Sequence, residues 1–361
     1  MLRIQRENDS APSMTLIRSS AGNAAILWLA VSLSKCAIGC TLCINFPEKT
    51  DVDFLADSNC VILARPTMED PFTYSPTETL KGSFDGNEIG LLVDSMTRRV
   101  LAAESNRSVL LYQEFANGDW KSLGVVSDQY LPMVRRILVL SKRWSGEAGR
   151  TQRWQFFLPW FGHDDPRIRQ LAYLELGRAP YSALKRLGKV APRDAYTDML
   201  ADPKYLKWKS LAILLLGQSE DPNDKQTIRD AFSAAQRLAV TTNLAAWTAA
   251  VIEVDGDVAL NAIEDHYFGN AARSVEETDA IFQALSMHGS NDDGMEDTIV
   301  QLYRRTLRAH PEYAPRVAED LMAWERFELK TELNQSLLGN AFREEERRSI
   351  RRYLRAAAEE K

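Results

Sequence analysis

The pattern of apolar and polar positions predicts a β-rich part followed by a helical part. Between residues 60 and 126, short runs of β-branched and aromatic residues alternate with turns rich in Gly, Asn and Asp. Five strands are expected, and their spacing favours a partly closed barrel because closure hides the edges that an open sheet would expose. The predicted strands are 60–64, 72–80, 90–93, 109–112 and 120–126.

A helix is expected at 128–142, directly after the last strand. Its apolar side chains Ile137, Leu138 and Leu140 would close one end of the barrel. From residue 154 onward, the apolar residues recur at helical spacing, which indicates a change of structural class.

Two segments in the helical part align with each other after a shift of 40 residues, so that Ala172 matches Ala212 and Gly177 matches Gly217. A small Ala in mid-helix lets a neighbouring helix approach, and each Gly is expected in the left-handed conformation that ends a helix. Weaker matches to the same pattern follow at 244–253, 279–285 and 317–324. The pattern predicts repeated helix pairs.

The amino terminus has the three parts of a signal peptide. Arg18 precedes an apolar stretch at 24–33, and small residues follow at Ala37 and Gly39. Cleavage after Gly39 would leave Cys40 first, either as a lipid-modified residue, as in a bacterial lipobox, or as the first residue of a secreted chain. An uncleaved anchor or a buried core helix is the third possibility, and translation could start at Met1 or Met14.

These signals divide the chain of 361 residues into a signal peptide, 1–39, a β-barrel domain, 40–145, a linker, 146–153, and a helical repeat domain, 154–361. The predicted location is exported, which includes the periplasm, the cell envelope and the medium. Hydrophobic residues make up 45% and charged residues 26%, which is ordinary for globular domains.

The four cysteines lie close together, at Cys36, Cys40, Cys43 and Cys60. In an oxidising compartment Cys60 could bridge to Cys43 or Cys40, and the alternative is a free, buried Cys60 in a strand. The four histidines are scattered without the spacing of metal ligands, so no metal site is predicted.

The charge balance argues against a nucleic-acid partner. The first 39 residues carry four basic and two acidic side chains, so residues 40–361 carry 40 basic and 48 acidic side chains, a net charge of −8. Such a chain lacks the overall positive charge of nucleic-acid binders. Membrane contact is expected only through the signal peptide or a lipid anchor.

Three further segments each allow two interpretations. The acidic turns at 220–224, 255–257 and 291–297 could attract a basic partner or Ca²⁺, or could simply contain the residues that turns need. The aromatic run 154–161 could pack a helix onto the β domain or form an exposed contact. The mixed charges at 343–355 indicate a solvated capping helix or a site that docks on an anionic surface.

The chain contains no G-x-S-x-G, Walker A or G-x-G-x-x-G motif in a suitable context, and no Cys–His arrangement. No catalytic, cofactor-binding or metal-binding residue is therefore predicted. A pair of carboxylates brought together only by the fold would leave no such pattern, so an enzyme of unrecognised type stays open.

Two resemblances add to this picture. Cys40-x-x-Cys43, the strand CVILAR (60–65), TLKG (79–82), VLLYQEF (109–115) and the turn NGDW (117–120) resemble the netrin-like OB barrels, which include tissue inhibitors of metalloproteinases. That resemblance implies that the amine of Cys40 chelates a target protease's zinc, although most of the family's cysteines are absent here. A lipid on that amine would exclude chelation.

The segment that begins HDDP (163–166) resembles HEAT repeats, in which Asp-Pro opens a helix. This resemblance implies a right-handed α-solenoid with an elongated binding face. The sequence thus predicts an exported, non-enzymatic scaffold or protein-interaction module with an unknown protein partner. The alternatives are a metalloprotease-inhibitor-like regulator that acts through the barrel and Cys40, and the unrecognised enzyme.

Overall fold

The computed structural model describes residues 47–86, 89–104, 106–290 and 294–360. The signal peptide and the sites at Gly39, Cys40 and Cys43 lie outside these residues. The described residues belong to one compact unit.

All five predicted strands form. Two short helices that the sequence pattern did not predict accompany them, α1 before the first strand and α2 between the third and fourth strands. In chain order the elements are α1 Asp51–Asp57, β1 Cys60–Arg65, β2 Thr73–Lys81, β3 Ile89–Leu92, α2 Ser95–Ala103, β4 Ser108–Gln113, β5 Trp120–Val126 and α3 Tyr130–Leu140.

The five strands form one antiparallel sheet in the order β3-β2-β1-β4-β5. The sheet curls into a half-barrel, since its edge strands β3 and β5 approach each other. β1 lies at the centre, and its run of five apolar residues is buried on both faces: Cys60, Ile62 and Ala64 enter the barrel core, whereas Val61 and Leu63 face the other side.

Each face of the sheet is covered by a helix. Leu101 of α2 joins the core inside the half-barrel. α1, through Val52 and Leu55, and α3 pack on the opposite face. Ile137 and Leu138 of α3 therefore do not plug the barrel as expected, because they join the core that the sheet shares with the helical part.

Helices follow to the end of the chain. They are α4 Gly146–Phe157, α5 Pro166–Gly177, α6 Tyr181–Gly188, α7 Arg193–Ala201, α8 Lys209–Leu216, α9 Pro222–Leu238, α10 Leu244–Asp255, α11 Asp257–Ile263, α12 Val275–Gly289, α13 Glu296–Ala309, α14 Ala314–Trp324, α15 Lys330–Gly339 and α16 Glu344–Glu359. Residues 146–153, the expected linker, lie in α4.

The even-numbered helices from α6 to α16 pack in sequence, each against the next. Ala212, Ala249, Ala284 and Ala318 on four of them are fully buried, which agrees with the expected close approach. The reason for Gly217 differs from the expected one, because its φ is −58°, not left-handed. A Cβ there would lie 3.3 Å from the Cβ of Ala250, so close packing against α10 accounts for the glycine.

The half-barrel and the helices share one continuous hydrophobic core. The aromatic run contributes Trp154, Phe157 and Phe161 to it, and Phe157 packs edge to face against Phe156 at 4.9 Å between ring centroids. The aromatic run is therefore a packing element of this core, where α4 meets α5.

Candidate interaction surface

Four large apolar side chains are exposed where the β1–β2 loop meets the end of β3 and the start of α2. They are Met68, Phe72, Leu92 and Met96, and this group is called the apolar rim below. The pairing of β2 with β3 holds it together, because Thr73 lies opposite Leu92 and the backbone N–H of Val93 donates to the carbonyl of Phe72 at 2.7 Å.

The exposed fractions are 99% for Met68, 54% for Phe72, 75% for Leu92 and 72% for Met96. Leu92 points outward because its neighbour Val93 enters the barrel core. A single exposed Leu is ordinary, whereas several large apolar side chains on adjacent elements make this part of the half-barrel a candidate interaction surface. The rim is the feature of the half-barrel that sequence reasoning missed.

Local hydrogen bonds fix the backbone on both sides of the rim. Asp94 caps α2 by accepting from the N–H groups of Met96 and Thr97, each at 2.9 Å. The hydrogen bond from the Thr97 hydroxyl and these backbone bonds lower the pKa of Asp94. Asp70 holds the loop similarly, because it accepts from the N–H of Phe72 at 2.9 Å.

The guanidinium of Arg98 lies over the ring of Phe72, 4.5 Å from its centroid. This cation–π contact restrains a half-exposed aromatic side chain in the absence of a partner. A side chain that is already restrained loses less conformational entropy on binding than a mobile one.

A charged seam, made by Thr50, Asp53, Arg153, Glu175 and Arg178, joins α1 to α4 and α5. Arg153 binds Glu175 through Nε at 2.5 Å and through Nη2 at 2.8 Å, and it reaches Oδ1 of Asp53 at 2.7 Å. Arg178 binds Oδ2 of Asp53 at 2.6 Å, and the Thr50 hydroxyl donates to Glu175 at 2.5 Å.

Burial raises the pKa of Asp53, but the hydrogen bond and charge of Arg153, the Thr50 N–H and Arg178 outweigh it and bring that pKa to about 2. Glu175 is 1% exposed and is matched by Arg153. The seam therefore holds Asp53 in its charged form, which suits a structural role rather than proton transfer.

Arg167 of α5 covers the outer edge of β5. It donates to the carbonyls of Leu123 at 2.5 Å and Val125 at 2.6 Å, and its guanidinium lies 4.1 Å from the ring centroid of Tyr130. Backbone carbonyls that could otherwise pair with another strand are therefore occupied, so this edge is protected by the helical part.

A polar cluster connects four of the stacked helices. Glu253 on α10 binds Lys185 at 2.9 Å and the hydroxyl of Tyr181 at 3.1 Å, both on α6. Gln218, after α8, approaches the same hydroxyl at 3.4 Å, and Nε2 of His288 on α12 lies 3.0 Å from the carbonyl of Ala249. Both carboxylate oxygens of Glu253 are engaged, so the contacts account for the cluster as a link between helices.

Two of the acidic turns, 220–224 and 255–257, have structural partners, whereas residues 291–293 of the third lie outside the described residues. Asp221 caps α9, Asp224 binds Arg193 and the hydroxyl of Ser219, and Asp255 binds Arg229. These contacts favour the interpretation that the acids serve the turns and the helix packing. In the part of the chain that the structure describes, no group of three or more His, Cys, Asp and Glu side chains is arranged to hold a metal ion.

Of the predicted modification residues, only Cys60 is described. It is buried inside the half-barrel and forms no disulfide among the described residues. Burial raises the pKa of its thiol, which disfavours the reactive thiolate. The bridge from Cys60 to Cys40 or Cys43 stays a prediction, because both of those cysteines lie outside the described residues.

None of the helices within the described ranges is long and apolar enough to cross a membrane. The chain matches no protein-family model, no curated protein and no solved structure.

Proposed function

We propose that this protein is an exported, non-enzymatic interaction module that binds a protein partner through the apolar rim. The observation that carries the proposal is that four large apolar side chains, Met68, Phe72, Leu92 and Met96, are exposed on the β1–β2 loop, β3 and the start of α2. A partner with a complementary apolar surface would bury these side chains, and such burial contributes roughly 25 cal/mol per Å² before the costs of association.

The fold supports a binding role in two further ways. The strand order β3-β2-β1-β4-β5, with α2 between β3 and β4, supports an OB-like barrel, an architecture that binds ligands with strands 2 and 3 and the adjoining loops. The β1–β2 loop and β3, which carry Met68, Phe72 and Leu92, correspond to part of that surface in such a barrel. The ordered contacts of the even-numbered helices support a HEAT-like solenoid, in which each helix pair covers its neighbour.

The rim is tested by site-specific photo-crosslinking in cells that export the protein. A photoreactive residue at Leu92 or Met96 is expected to give one discrete crosslinked product, whereas the same residue at Val258 or Val275 is not. The control positions are matched, being 72% and 71% exposed on helices far along the chain from the rim. Identical products at all four positions, or no product at the rim, would contradict the proposal.

Export is tested by mass spectrometry of the mature amino terminus. Cleavage after Gly39 is expected, so that the chain begins at Cys40. A diacylglyceryl mass on Cys40 would identify a lipoprotein and exclude the inhibitor-like alternative, because that mechanism needs a free amine on Cys40. An intact segment 1–39 in the purified protein would contradict export by a cleaved signal peptide.

A further inference from the structure

The last helix, α16, presents a row of arginines to solvent. Arg348, Arg351, Arg352 and Arg355 are all exposed and follow the spacing i, i+3, i+4 and i+7, which places them on one face. The opposite face is anchored, because α16 packs against α14 and α15 and its Tyr353 is fully buried. The arginines thus project from a helix whose position is fixed by its packing.

Most of this positive charge has no carboxylate partner. Over the ranges that the structure describes, Arg351 lies 3.4 Å from Glu344, whereas Arg348, Arg352 and Arg355 form no ion pair. Elsewhere in the helical part, arginines such as Arg229 bind acids on a neighbouring helix. Glu345 and Glu359 border this face, but among the described residues neither forms an ion pair with these three arginines. Three unpaired guanidinium groups in a chain with a net charge of −6 favour an anionic partner.

Apolar side chains accompany the arginines. The exposed Ala358 and Leu354, which is partly buried against the hydrophobic core, line an open, shallow groove on α16 together with Arg348, Arg351 and Arg355. A small anion would need converging donors, whereas a flat face with arginines beside an apolar strip matches a membrane interface, where headgroup phosphates meet acyl chains.

We infer that the exposed face of α16 docks on a membrane surface that contains anionic phospholipid. The arginines bind headgroup phosphates through bidentate hydrogen bonds, and Ala358 and the exposed part of Leu354 face the boundary between headgroups and acyl chains. Such contact would leave the apolar rim, on the half-barrel, as a separate surface for the protein partner.

The test is co-sedimentation of the full chain with vesicles of phosphatidylcholine, with or without phosphatidylglycerol. Because each basic residue near an anionic leaflet contributes roughly fivefold to partitioning, R348Q/R352Q/R355Q is expected to lower binding to the anionic vesicles about 100-fold. A second variant, Glu344→Gln, leaves Arg351 without its carboxylate and is expected to raise the binding.

The matched control is R99Q/R150Q/R186Q, which makes the same change in net charge at three other exposed arginines. It is expected to bind like the parent, and since all variants keep the same amino terminus, an effect of that segment cancels. Loss of binding in the control, retention in the α16 variant, equal binding to both kinds of vesicle, or release by inorganic phosphate at constant ionic strength would each overturn the inference. The assay contains no protein partner, so its failure is distinct from failure at the rim.

Discussion

Replacing Arg153 with Met is expected to lower the free energy of unfolding by about 3–5 kcal/mol, because it leaves a buried carboxylate without its main partner. Glu175 is 1% exposed and receives two hydrogen bonds from Arg153. Without Arg153, its nearest remaining partners are the Thr50 hydroxyl at 2.5 Å and Arg178 at 3.7 Å. Urea unfolding followed by tryptophan fluorescence measures the change.

Two controls separate charge burial from a loss of packing. The double variant R153M/E175L removes both members of the pair, and should recover most of the lost stability, because no unpaired charge stays buried. Arg135→Met breaks an ion pair to Glu78 in which both side chains are more than 40% exposed, and should cost less than about 1 kcal/mol. An equally small loss in Arg153→Met would show that the seam does not hold α1 to the helices.

Asp320 is expected to make the protein less stable as the pH rises through the interval between about 4 and 6. This side chain on α14 is 3% exposed and accepts a hydrogen bond from Tyr303 on α13 at 2.5 Å. Burial raises its pKa to about 6, although Tyr303, Arg316 and Ser286 act in the opposite direction and Glu319 adds to the increase. The sequence pattern did not indicate this group.

The sign of the effect follows from the protons bound in each state. Between the unfolded pKa of 3.8 and the folded value of about 6, the folded chain holds more protons, so the free energy of unfolding falls with increasing pH. The total loss is about 3 kcal/mol, at 1.36 kcal/mol per pKa unit. Asp320→Asn can still accept from Tyr303, and should therefore be more stable than the parent at neutral pH.

The measurement is the difference in urea-unfolding free energy between the parent and Asp320→Asn across this interval. Taking the difference cancels the contributions of other carboxylates, including Asp53, whose low pKa acts at more acidic pH. A constant difference between the two proteins from pH 4 to pH 7 would show that Asp320 is not titrating there.

The strands could be predicted because each combines a strong apolar pattern with turn residues at its ends. β1 is the clearest case, since five consecutive apolar residues fit a strand that is buried on both faces. α1 and α2 left little signal, because they have only seven and nine residues and bury two and one side chains, respectively. Such short amphipathic segments are weakly specified before the sheet exists to cover them.

The apolar rim and the charged seam could not be predicted, because each depends on residues that only the fold brings together. The sequence Leu91-Leu92-Val93 indicates a strand but not that Leu92 faces solvent opposite Thr73. Asp53 and Arg153 are a hundred residues apart in the chain and 2.7 Å apart in space. No local spacing encodes such a pair. The repeated alanines did predict close helix packing, because the position of a small residue within a helix can be read from the local sequence.

The central claim is that the apolar rim binds the protein partner. The most direct measurement is the dissociation constant of the partner identified by crosslinking at the rim, for the parent, for L92S/M96S and for V258S/V275S. Loss of two central apolar contacts should weaken binding about 30-fold or more, whereas the control, at matched exposure, should equal the parent. Equal affinity for all three proteins would contradict the account.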